Sequence, residues 1–140
     1  MPLALIPDIH RATHQIGLHI AQCPGLAITQ GEAHILVYLH DHGPATVGEV
    51  HSALSHKRST LTSLLNRLDE RRFAVRELHP GNRKTFLIRL TPSGKKAAAK
   101  VRSWLQRYEQ KALAGLNGEQ VESLRKILAR FDASAVHAML

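Results

Sequence analysis

Between Leu61 and Leu68 the apolar residues Leu61, Leu64, Leu65 and Leu68 fall at i, i+3, i+4 and i+7, the spacing that lines one face of an α-helix. At about 100° per residue, Ser59, Thr62, Ser63, Asn66 and Glu70 lie opposite that stripe, with Arg58, Thr60 and Arg67 on its flanks. The helix starts somewhere between Ser55 and Ser59, where several residues compete to cap it. Just upstream, Thr46-Val47-Gly48-Glu49 has the form of a capping box and opens a short helix offering Val47, Val50, Ala53 and Leu54 to a core. Two helices joined by a tight turn, the second showing small polar side chains outward, are the signature of a helix-turn-helix.

The flanking segments extend the pattern. Asp8 is placed to cap a first helix running to about Gln22, with Ile9, Ala12, Ile16 and Ile20 on one stripe, and Pro24-Gly25 stops it. Thr29-Gln30-Gly31-Glu32 reads as a second capping box before the apolar run Ala33 to Leu39, which Asp41-His42-Gly43-Pro44 ends. From Phe73 to Leu78 and from Thr85 to Leu90 the residues favour strands, so His79 to Lys84 becomes the basic tip of a hairpin. Thr91-Pro92 opens a long helix ending near Gly115, with Ala97, Val101, Trp104, Leu105, Tyr108 and Ala112 on its apolar face. Asn117-Gly118-Glu119-Gln120 begins a last helix with the stripe Val121, Leu124, Ile127, Leu128 and Phe131. The expected fold class is mainly α with a small β-hairpin (α+β).

Size and charge sharpen this picture. At 140 residues and 44% hydrophobic composition, the chain is expected to be a single domain over residues 1–140. Its charge is uneven: His56 to Arg102 holds 13 of the 19 lysines and arginines against 3 of the 11 acidic residues, so this stretch accounts for the net charge of +8. A basic surface concentrated on one compact motif points to a polyanion, most simply a nucleic acid. Aromatic residues, at 4%, are too few and scattered for stacking platforms that read single strands. The apolar start MPLALIP has no basic flank and no span-length run, and the single Cys23 forms no internal disulfide, so the expectation is a soluble cytoplasmic protein with no membrane partner.

The segment Arg58-Ser59-Thr60-Leu61-Thr62, the following Asn66-Arg67-Leu68-Asp69, the wing arginine Arg83 and Leu90-Thr91-Pro92-Ser93-Gly94 together resemble the MarR family of winged helix-turn-helix transcriptional regulators. Helix order and length extend the resemblance over nearly the whole chain. It implies a winged helix-turn-helix DNA-binding lobe at residues 29–91, with dimerisation helices at residues 8–22 and 92–140 that interlace between two subunits. It further implies a homodimer, a regulator that is most simply a repressor, and control by a small-molecule effector. Where the family commonly has an acidic residue beside its wing arginines, this chain has Asn82.

Double-stranded DNA accepts one α-helix in its major groove, and short hydroxyl or amide side chains reach base edges there. The DNA-binding candidates are therefore Ser59, Thr60, Thr62, Ser63 and Asn66 on the helix, Arg58 and Arg67 for phosphates at its margins, and Arg83 and Lys84 on the hairpin for an adjacent minor groove. Arg67 has a second reading, in which it pairs with Glu70 or a wing residue and serves packing. The apolar stripes of the terminal helices exceed what the winged module covers, as expected of an association surface; a two-fold dimer would present two reading heads to a pseudo-palindromic operator.

For effector binding, the candidates are His19, Cys23 and His34, of which His19 and His34 are placed to line a pocket between the helical and winged parts. Thiol sensing at Cys23 and a metal site among the ten histidines are lesser readings, because the cysteine follows the end of a helix and the long helix from Pro92 contains no histidine. No metal site and no cofactor are expected. No phosphate-binding glycine loop, nucleophile motif or zinc-finger spacing is present, which argues against an enzyme. The rival from another class is a winged-helix scaffold that binds an acidic protein partner through the same basic surface.

Overall fold

The computed structural model describes residues 1–140, apart from the side chains of residues 134 and 135. The chain divides into two compact units, residues 1–105 and residues 106–140.

The first unit begins with α1 (Ile6–Ala21) and α2 (Gln30–His42). Helix α1 starts three residues earlier than a cap at Asp8 would have it: Leu5 precedes it with no side-chain cap, Pro7 takes an early position where its missing N–H costs little, and Asp8 sits in the first turn, paired with Arg11 at 3.2 Å. The expected span of 8–22 is corrected to 6–21 on that ground. Helix α2 is capped by the Thr29 hydroxyl, which accepts from the Glu32 amide at 3.3 Å. Gly43, at φ 78, ends it with its N–H on the Leu39 carbonyl.

A two-residue strand, β1 (Ala45–Thr46), then leads into α3 (Val47–Leu54), whose cap is the Thr46 hydroxyl, 3.1 Å from the Glu49 amide. Ser55, in the left-handed region at φ 56, closes α3, and α4 (Arg58–Glu70) follows after three residues. The hairpin consists of β2 (Ala74–His79) and β3 (Asn82–Leu90), and β1 pairs with the far side of β3, giving an antiparallel sheet in the order β1-β3-β2. Strand β1 is too short to show a period in the sequence.

Ile20, Ile35, Leu36, Val50, Leu61, Leu68, Ile88 and Val101 are fully buried and draw α1 to α4, the sheet and the start of α5 (Pro92–Ala112) around one core. All four leucines of the α4 stripe are inside it. At roughly 1.5–3 kcal/mol per buried aliphatic side chain, that stripe dominates the docking of α4. The start of α5 is pinned by Thr91: its hydroxyl donates to the Arg72 carbonyl at 2.6 Å and accepts from the Gly94 amide at 2.9 Å. Its own amide donates to the Phe73 carbonyl at 3.0 Å.

In the second unit, α6 (Gly118–Ala129) carries a complete capping box between Asn117 and Gln120. The expected single last helix is broken: α6 ends at Ala129, and α7 (Ala133–Met139) follows Phe131 and Asp132. Leu116, Leu124, Ile127, Leu128 and Phe131 of this unit are exposed.

Candidate nucleic-acid interface

Burial of Leu61, Leu64, Leu65 and Leu68 forces the opposite side of α4 outward, and Arg58, Ser59, Thr60, Thr62, Ser63, Asn66 and Arg67 are all exposed. Lys57 precedes the helix without a side-chain cap, so the first-turn amides and the positive end of the helix dipole coincide with Lys57 and Arg58. Ser59, Thr60 and Ser63 stand free of the core, whereas Thr62 donates its hydroxyl to the Arg58 carbonyl at 3.0 Å. That bond leaves the Thr62 oxygen able to accept.

Two helix residues are differently placed from what spacing suggests. Arg67 reaches neither Glu70 nor the wing: its Nη1 lies 3.8 Å from Oε1 of Glu32 on α2, with the arginine side chain 55% exposed. Glu32 is 3% exposed, and its carboxylate is satisfied by the Thr29 hydroxyl at 2.9 Å and by Arg71 at 3.4 Å. The glutamate that sequence reading assigns to a capping box therefore anchors α4 and the turn after it to α2. Arg71 also donates to the Ala27 carbonyl at 2.6 Å and lies over the Phe73 ring. Asn66 accepts at Oδ1 from Arg76 of β2 at 2.7 Å, so it is exposed but not free.

The hairpin tip is shorter than the six residues expected, because β3 begins at Asn82 and only Pro80-Gly81 lie between the strands. Side chains brace this tip: His79 Nδ1 accepts from the Gly81 amide at 2.9 Å, and Asn82 Oδ1 accepts from the Lys84 amide at 3.0 Å. Asn82 thus does the bracing through its amide oxygen. Arg83 and Lys84 are strand residues, both exposed, and as neighbours on a strand they point to opposite faces. Further along the hairpin, Arg89 is paired with Glu77 at 2.6 Å.

The effector candidates each have their own surroundings. His19 stacks on Trp104, rings 4.5 Å apart, while the Trp104 indole donates to the His19 carbonyl at 2.8 Å. Cys23 is buried at 4% exposure. His34 is held below the usual histidine pKa by burial and then by the charge of His56, whose Nδ1 is buried with no hydrogen-bond partner among the described residues. Among the described residues, no group of three or more His, Cys, Asp or Glu is arranged to hold a metal. A cleft of about 350 Å³ lies elsewhere in the first unit, lined by Leu39, His40, Gly43, Pro44, Arg89, Leu90 and Lys95. Sequence reading missed it because its basic residues come from α2, β3 and α5.

Residues 25–85, which hold the helix-turn-helix and most of the hairpin, match the model of the MarR family. Over this segment, which is under half of its 140 residues, the chain is similar to the MarR family. Its relatives are transcriptional regulators rather than enzymes. It is 25% identical over 136 residues to the uncharacterised HTH-type transcriptional regulator YsmB of Bacillus subtilis, covering 94% of this chain and 93% of YsmB. A probable transcriptional regulator from Pseudomonas aeruginosa shares 26% identity and superposes with a TM-score of 0.74 over 91% of this chain and 97% of that one. The MepR regulator of S. aureus, solved in its DNA-binding conformation, is 23% identical with a TM-score of 0.82 over 91% and 96% of the two chains. The chain thus has the winged-helix fold of the transcriptional regulators it resembles.

Proposed function

We propose that this regulator is a sequence-specific reader of double-stranded DNA that acts as a homodimer on a pseudo-palindromic operator and represses by occupying promoter DNA. The observation that carries the proposal is the polar side of α4, held outward by four buried leucines beside a basic hairpin. In this reading Ser59, Thr60, Thr62, Ser63 and Asn66 face base edges, Arg58 and Arg67 hold phosphates, and Arg83 and Lys84 extend the contact along the backbone or into a minor groove. Arg67 keeps one side on Glu32 and thereby fixes the angle at which it meets a phosphate.

Residues 29–91 form the DNA-binding lobe in this account. The exposed apolar residues of the second unit, and Leu3, Leu5, Ile6 and Leu18 at the start of the first, supply the subunit interface. No helix among the described residues is long and apolar enough to cross a membrane, which suits action in the cytoplasm. Effector control is served by the cleft beside Arg89 and Lys95, whose mixed basic and apolar lining suits an organic anion.

Selection of bound fragments from random duplex DNA tests the reading. An enriched inverted repeat, bound with a steep salt dependence, is the expected result. Binding that shows no sequence preference, or that favours an acidic protein over duplex DNA, would overturn it.

A further inference from the structure

The Asn66–Arg76 hydrogen bond changes what the outer face of α4 can recognise. An arginine only donates, so the atom of the Asn66 carboxamide facing it is the oxygen, and the Nδ2 donors are turned away from Arg76. The bond follows from strand register. Arg76 pairs across the sheet with Ile88 and shares the face of Ala74, both of them buried, so it projects on the side of β2 that packs against α4. Arg76 itself is exposed, and its remaining N–H groups stand next to the Asn66 amide.

An asparagine reads adenine with both halves of its amide, the oxygen accepting from N6 and the nitrogen donating to N7. Here the oxygen is engaged, and a guanidinium beside it repels a second donor. One lone pair of that oxygen remains, but the N–H groups of Asn66 and Arg76 outnumber it, and the base edge that presents two acceptors to such donors in the major groove is guanine, through O6 and N7.

We propose that Asn66 and Arg76 form one composite reading element that selects guanine in the operator half-site, with Arg76 a specificity-determining residue contributed by the wing strand. The inference rests on the DNA-binding reading above and goes beyond it by assigning a base and a residue outside the recognition helix.

The test is selection from random duplexes, followed by titration of single-base variants of the recovered site, with wild type, Asn66→Ala, Arg76→Ala and Arg76→Lys. Far-ultraviolet circular dichroism verifies that each variant folds. Wild type is expected to prefer guanine by about 5- to 100-fold at the one position where Asn66→Ala loses discrimination. At that position Arg76→Ala is expected to move the preference toward adenine, because the amide oxygen is released, while Arg76→Lys retains guanine. Adenine selected by wild type there, or a uniform loss of affinity in Arg76→Ala with base preference unchanged, would overturn this assignment alone and make Arg76 a phosphate contact. No enriched sequence for wild type would overturn the DNA-reading proposal together with it.

Discussion

Gly94 lies against the main chain of Phe73 so closely that a β-carbon at residue 94 would be 1.8 Å from the Phe73 carbonyl oxygen. The obstacle is backbone, already held by the Thr91 amide, and cannot swing aside as a side-chain tip would. Gly94→Ala is therefore expected to cost about 3 kcal/mol, the upper part of the range for overpacking, and to lower the melting temperature by roughly 10 °C. Thermal unfolding followed by circular dichroism measures it; an unchanged melting temperature would mean that the turn after α4 and the start of α5 are not in contact.

Glu32 is the buried carboxylate on which Arg71 and Arg67 converge. Glu32→Ala is expected to destabilise by about 2–3 kcal/mol, since the charged hydrogen bond from Arg71 and the Thr29 hydroxyl contact go together. In urea titrations the midpoint should fall with an unchanged slope. A midpoint equal to wild type would show that the arginines hold α4 without it.

His34 gives stability a pH dependence of definite sign. Burial first, and the His56 charge second, lower its pKa from 6.5 in the folded chain, so the unfolded chain takes up the proton before the folded one does. Stability is expected to fall as pH drops below about 6.5 toward the depressed folded value, with no contribution from this group at higher pH. His34→Asn should reduce the difference between urea midpoints at pH 7.5 and 5.5. Equal differences in the two proteins would assign the slope to other groups.

Arg83 is exposed on β3, next to a tip braced by His79 and Asn82. Arg83→Ala is expected to weaken duplex binding and to reduce the slope of log K against log salt by about one. If both quantities match wild type, Arg83 does not touch the duplex.

The exposed apolar residues of the second unit predict self-association. Wild type is expected to sediment at twice the chain mass, and Leu128→Glu, which puts a charge among Leu124, Ile127 and Phe131, to shift it to the monomer. A monomeric wild type would refute the homodimer.

What the sequence disclosed, it disclosed through periodicity. The leucines of α4 repeat without interruption, so both the helix and its outward face could be read directly. The turn before it was ambiguous because Ser55, a plausible cap for α4, instead spends its left-handed conformation on ending α3. The hairpin tip was drawn too long because His79 and Asn82 bond to nearby amides, a local effect that strand propensity does not register. The contacts that give the interface its chemistry join distant residues: Glu32 to Arg71 across 39 positions, Asn66 to Arg76 across a turn. Only the packing of α2 and β2 against α4 brings them together.

Cys23 is the chain's one thiol and is enclosed where α1 gives way to α2. A thiol reagent therefore has a single target, and it reaches that target only when the surrounding segment opens. The rate of modification becomes a built-in clock for that opening, and it can be read with and without duplex DNA without introducing any foreign reporter.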